Sequence, residues 1–131
     1  MKQIKTATSK RRIKELMKVI KDNGLMFKLG GISTLFNKVD RISCVGILYE
    51  NGKAVSCALT TKGRDMFGLY NVAAYTKAEH RNHGHSKVII EKVLKRDMSV
   101  NKLTCRQLSC DKPLFYKKVV SSINIKNIEV L

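Results

Sequence analysis

The chain has no tryptophan, a single proline and only 10 acidic residues in 131. It also has no apolar run approaching the roughly 18 residues that a membrane-crossing helix needs, so no span is expected. The N-terminal stretch MKQIKTATSKRR is basic but has no apolar segment, which excludes a secretory signal. Among Cys44, Cys57, Cys105 and Cys110 there is no CxxC pair. That lack leaves the cysteines to act as small hydrophobes in apolar or strand-like stretches. Cys105 and Cys110 stand five apart on one expected strand and so face opposite sides, which argues against a disulfide between them. With no export signal, a reducing cytoplasm is the expected compartment. The sequence shows no internal repeat, no low-complexity block and no helix-turn-helix pair of the kind that reads the DNA major groove.

The scarcity of acid leaves a large positive excess: 26 Lys and Arg against 10 Asp and Glu, a net of +16. Such a balance draws polyanions by steering and counterion release. The partners it suggests are a nucleic acid, a tRNA, a phosphorylated cofactor or an acidic protein. A hydrophobic content of 44% is ordinary for a globular chain, and the length suits one domain spanning residues 1–131.

Residues 1–7 alternate weakly and suit a first strand. Thr8 and Ser9 then offer capping oxygens to KRRIKELMKVIKDNG. Ile13, Leu16, Met17 and Ile20 repeat at helical spacing, and Asn23-Gly24 closes the helix. Arg11, Lys14, Lys18 and Lys21, with Lys10 beside them, form a cationic flank on that helix. Residues 25–41 are broken by Gly30-Gly31 and read as a connection that shapes the mouth of a site. From Ile42 the period becomes two: ISCVGILYE and KAVSCALTT flank a turn at Glu50-Asn51-Gly52, and MFGLYNVAAYT completes an antiparallel meander. A helix follows from about Gly84 to Arg96. KLTCRQLSC then reads as a strand, PLFYKKVVSSI as a helix with Pro113 in its first turn, and NIKNIEVL as a last strand. The order predicts an α+β domain, a single mixed and mostly antiparallel sheet flanked by helices.

Between the meander and the next helix lies Arg81-Asn82-His83-Gly84-His85-Ser86. A strand that enters a helix through a glycine turn leaves unpaired N–H groups at the helix start, where the dipole also favours an anion. The three histidines His80, His83 and His85 could be ligands, but HxxHxH has no carboxylate or thiol at a familiar spacing, so phosphate or solvent contact is preferred to a metal.

The element order and Arg81-x-x-Gly84-x-Ser86 resemble the GNAT superfamily of N-acetyltransferases, whose acetyl-CoA loop is Gln/Arg-x-x-Gly-x-Gly/Ala. Leu114-Phe115-Tyr116-Lys117-Lys118 resembles that family's tyrosine segment. The resemblance implies acetyl-CoA as cofactor, bound in a cleft beside the third meander strand. Backbone groups of Tyr75, Thr76 and Lys77 would meet the pantetheine arm. Arg81 and the amides around Asn82, His83, Gly84, His85 and Ser86 would take the pyrophosphate. Ser109 stands where many relatives carry an asparagine near the arm. Tyr116 would protonate the leaving thiolate, although with Val119, Val120 and Ile123 it also completes a helical core stripe. Glu79, His80 and Glu50 are candidate bases for the acceptor amine, with Glu79 preferred for catalysis. The sequence departs from the family at Ser86, at Ser109, at Val120-Ser121 in place of Gly-Phe, and in the little length left for a last strand before Leu131. Acetyl transfer to a primary amine of an anionic or nucleic-acid-associated acceptor is the expected activity. The alternative is a non-catalytic module of the same fold that binds nucleic acid or an acidic protein through its basic surface.

Overall fold

The computed structural model describes residues 2–25, 41–62, 69–96, 102–104 and 129–130. Within them the order is β1 (Lys2–Ala7), α1 (Lys10–Asp22), β2 (Ile42–Glu50), β3 (Lys53–Lys62), β4 (Leu69–Thr76), α2 (His85–Arg96), β5 (Lys102–Thr104) and β6 (Glu129–Val130). The strands form one sheet in the order β1-β2-β3-β4-β5-β6. Pairing is antiparallel from β1 to β4 and parallel from β4 to β6. This is the mixed, mostly antiparallel α+β sheet that the sequence predicts. The expected helix over 113–123, with Tyr116, and all of the connection over 25–41 except its two end residues lie outside the described residues, as does Ser109.

α1 starts where Ser9 Oγ accepts from the Arg12 amide at 3.4 Å, so Ser9 rather than Thr8 is the cap. It stops in a Schellman turn: Leu25 N donates to Ile20 O at 3.0 Å and Gly24 N to Lys21 O at 3.1 Å, with Gly24 at φ 67. Leu25 is thereby carried into the core beside Ile13, Leu16, Met17 and Ile20, the stripe expected from the spacing. Arg11, Lys14 and Lys18 stay exposed on the other side.

The β2–β3 turn has both central residues in the left-handed region, Asn51 at φ 53 and Gly52 at φ 81. That is the hairpin geometry whose twist matches the strands, and it sets Glu50 opposite Lys53. Both faces of this hairpin are covered. Val45, Ile47, Cys57 and Leu59 pack with the α1 stripe, while β2 turns Gly46 toward Val93 and Ile89 of α2. Burial on two sides explains why CVGIL is apolar throughout rather than alternating. Cys57 is a core group: burial pushes its thiol up to about 12, which leaves it a neutral hydrophobe, not a nucleophile.

Gly46 fixes how closely α2 approaches the sheet. A Cβ there would lie 2.7 Å from Val93 Cγ2 and 3.1 Å from Ile89 Cδ1. Val93 is β-branched and has essentially one helical rotamer, so it cannot swing aside. Gly46→Ala is therefore expected to lower stability by about 1–3 kcal/mol through overpacking. Urea unfolding of the variant beside the wild-type chain measures this, and an unchanged midpoint would refute the tight contact.

Candidate functional site

β4 ends at Thr76, and the chain then passes through a single 3₁₀ turn, Ala78–His80, into the loop before α2. Three bonds set this exit. Lys77 N donates to Val55 O of β3 at 3.0 Å, His80 N to Lys77 O at 2.9 Å, and Arg81 N to Ala78 O at 3.3 Å. Both backbone groups of Lys77 are thus used, the amide by the sheet and the carbonyl by the 3₁₀ turn, which fixes the direction in which the chain leaves β4.

Thr76 is the most connected residue of the exit. Its hydroxyl lies 2.8 Å from Ser56 Oγ and 3.0 Å from Ser86 Oγ, and its carbonyl accepts from Arg81 Nε at 3.0 Å. Ser56 Oγ also donates to Tyr75 O at 3.1 Å. The Ser86 hydroxyl is therefore engaged with β4, which answers the departure from glycine or alanine at that position: the extra oxygen has a place in the fold. Arg81 stays exposed, its guanidinium 5.7 Å from the centre of the Tyr75 ring, a stacking that holds a fixed positive charge beside the loop.

The turn itself is made by two left-handed residues, Asn82 at φ 67 and Gly84 at φ 74. Asparagine tolerates that conformation and glycine takes it without strain. A Cβ at Gly84 would meet nothing within 4 Å, so the loop is open on that side. The first backbone bond of α2 runs from Val88 N to Gly84 O at 3.2 Å. The amides of His85, Ser86 and Lys87, which precede that bond, have no acceptor inside the helix and gather at its positive end. His83, exposed, stands with its ring 5.8 Å from that of His85.

Behind the loop the fold assembles a group that the sequence did not bring together. His85 is buried, 3% exposed, and its Nε2 lies 3.1 Å from Glu50 Oε2; His80 Nδ1 lies 3.9 Å from the same oxygen. Glu50 and His80 are each 32% exposed. The carboxylate that HxxHxH lacks in its own neighbourhood is supplied from the end of β2. Only the hairpin register and α2 packing place it there, so no local spacing could reveal it. Burial is the main cause that lowers the pKa of His85, with the Lys2 charge adding to it, and together they outweigh the pull of Glu50. His85 is therefore held toward its neutral form. Glu50 and His80, two of the candidate bases, thus belong to this packed group, whereas Glu79 is exposed on the 3₁₀ turn.

No protein-family model matches the chain, and no curated protein matches it by sequence. Solved structures do match. An aminoglycoside N-acetyltransferase in complex with CoA is similar at 14% identity and TM-score 0.60, over 98% of this chain and 96% of that one. Glucosamine-6-phosphate N-acetyltransferase from Arabidopsis thaliana is similar at 13% identity and TM-score 0.55, over 92% and 90%. A GNAT family acetyltransferase from Brucella melitensis in complex with acetyl-CoA is similar at 11% and 0.51, over 73% and 68%.

Because the Thr76 hydroxyl bridges two others, Thr76→Val is expected to cost about 1–3 kcal/mol by removing both of its hydroxyl contacts, to Ser56 and to Ser86. Chemical unfolding of the purified variant checks this, and a change within error would show that the Ser56–Thr76–Ser86 chain does not hold the loop.

Proposed function

The chain has the GNAT acetyltransferase fold, and we propose that it is an acetyl-CoA-dependent N-acetyltransferase that acts on a primary amine of an anionic or nucleic-acid-associated acceptor. The observation that carries this reading is the exit of β4: a fixed arginine, an open left-handed glycine and a helix start with unpaired amides in one short loop. That combination suits a pyrophosphate, because it offers several N–H donors and positive potential with no side chain in the way. Two of the similar structures hold CoA or acetyl-CoA, which supports the same ligand here.

When bound, acetyl-CoA supplies an acetyl group already activated as a thioester. The residues of this chain bind and orient it. The amides of His83 to Ser86 with Asn82 would receive the pyrophosphate, and Arg81 adds charge from a position fixed by the Thr76 carbonyl. The backbone of Tyr75 to Lys77 would align the pantetheine arm, with Ser109 near it. Glu79 would take the proton of the acceptor amine, directly or through water, and Tyr116 would return one to the departing sulfur. The net charge of +16 favours an acceptor that is anionic or carried on a polyanion, because a free small amine gains nothing from it.

The exposed cationic side of α1 favours a second reading, a non-catalytic module of this fold that binds nucleic acid or an acidic protein there. Calorimetric titration with acetyl-CoA and with CoA, on the wild-type chain and on an Arg81→Ala, Gly84→Asp double variant, separates the two. The first reading predicts saturable binding with Kd on the order of micromolar, lost in the double variant. No binding by the wild-type chain, together with salt-sensitive binding to nucleic acid, would overturn it in favour of the module.

A further inference from the structure

We propose that Glu50, His80 and His85 form a binding site for one zinc-class divalent cation, which ties the end of β2, the 3₁₀ turn and the start of α2 together behind the loop. Oε2 of Glu50, Nδ1 of His80 and Nε2 of His85 converge from three separate segments, and one ligand atom from each lies within 4.8 Å of the others. Donors held at about 2.0–2.2 Å on one tetrahedral zinc stand roughly 3.3 Å apart. The 3.1 Å separation of Glu50 and His85 already meets that, and the 3.9 Å separation of Glu50 and His80 needs only a small side-chain shift.

The chemistry of the set agrees. Two imidazoles and one carboxylate are the ligand types zinc takes, with a fourth position for water. Glu50 Oε2 is buried, and among the described residues no well-aligned hydrogen bond satisfies it, with His85 Nε2 3.1 Å away. A carboxylate oxygen in that condition is costly unless something shares its charge, and a cation does so. His85 turns its Nε2 toward that oxygen, the ring atom that would bind the ion. Its two partners are each one-third exposed, which gives an ion a way in. Lys2, opposite Glu50 in the sheet, is the charge that works against the site. The two histidines flank the Arg81–Gly84 turn, so metal bound there would brace the turn from beneath. The inference does not depend on acetyl transfer, and its test is separate.

The full chain, without a polyhistidine tag and stripped of metal by chelator, is titrated with zinc against a chromophoric zinc indicator. A parallel cobalt(II) titration reads the d–d bands of a low-coordinate N/O site. The site predicts one zinc per chain. Glu50→Gln and His80→Ala should each weaken binding by about 10–100-fold, and His83→Ala should leave it unchanged. Circular dichroism confirms that the variants are folded, and these two are chosen because His85→Ala removes a buried core group. Zinc should raise the melting temperature of the wild-type chain by more than that of Glu50→Gln at the same zinc concentration. Absence of zinc uptake, binding unaltered in Glu50→Gln and His80→Ala, or loss in His83→Ala would each overturn the proposal. The last would mark adventitious chelation by exposed histidines.

Discussion

Thr76 is held at three points, and the geometry of the loop depends on all of them. Its hydroxyl sits between Ser56 of β3 and Ser86 of α2, and its carbonyl takes the Arg81 side chain. Each bond is modest by itself, on the order of 1 kcal/mol net. Together they index the helix start to the sheet and turn a flexible arginine into a fixed charge. Without them the Asn82–Gly84 turn would have left-handed residues but no defined position. The anion-binding capacity of the loop is thus a property of the β3–β4–α2 junction, not of the turn sequence alone.

The packing above this junction has the same logic. β2 and β3 are covered by α1 on one face and α2 on the other, and Gly46 lets α2 lie close to the strands. That close approach brings His85, the first residue of α2, against Glu50, the last residue of β2. A bulkier residue at 46 would lift the helix and separate both the hydroxyl chain and the Glu50 group. Ser43 and Val55 are the extra residues at the two irregularities of the β2–β3 ladder. The second lies where β3 accepts the Lys77 amide, so the bulge also serves the exit of β4.

Much of this was legible in local patterns. The α1 stripe, its glycine stop, the Asn51-Gly52 hairpin and the meander follow from spacing of 3.6 or 2 and from turn chemistry, and the described elements fall where those patterns put them. The glycine turn before α2 was legible for the same reason. Long-range consequences were not. Glu50 stands 30 positions or more from His80 and His85, and only the register of the sheet joins them. Gly46 reads as an ordinary small residue inside an apolar strand until α2 is seen above it. The use of Ser86 by Thr76 was hidden because a serine at a loop shows nothing of which way its hydroxyl turns. Tyr116 and Ser109 rest on resemblance alone, outside the described residues.

At 10–14% identity, the similarity to acetyltransferases of known structure carries the fold, and the assignment of chemistry rests on the loop. The most direct measurement is an amide-resolved NMR titration of the isotope-labelled chain with CoA. The account predicts that the largest shifts fall on the amides of His83 to Lys87 and on Arg81 Nε, with Thr76 following. Shifts confined to the cationic side of α1, or none at the loop, would contradict it.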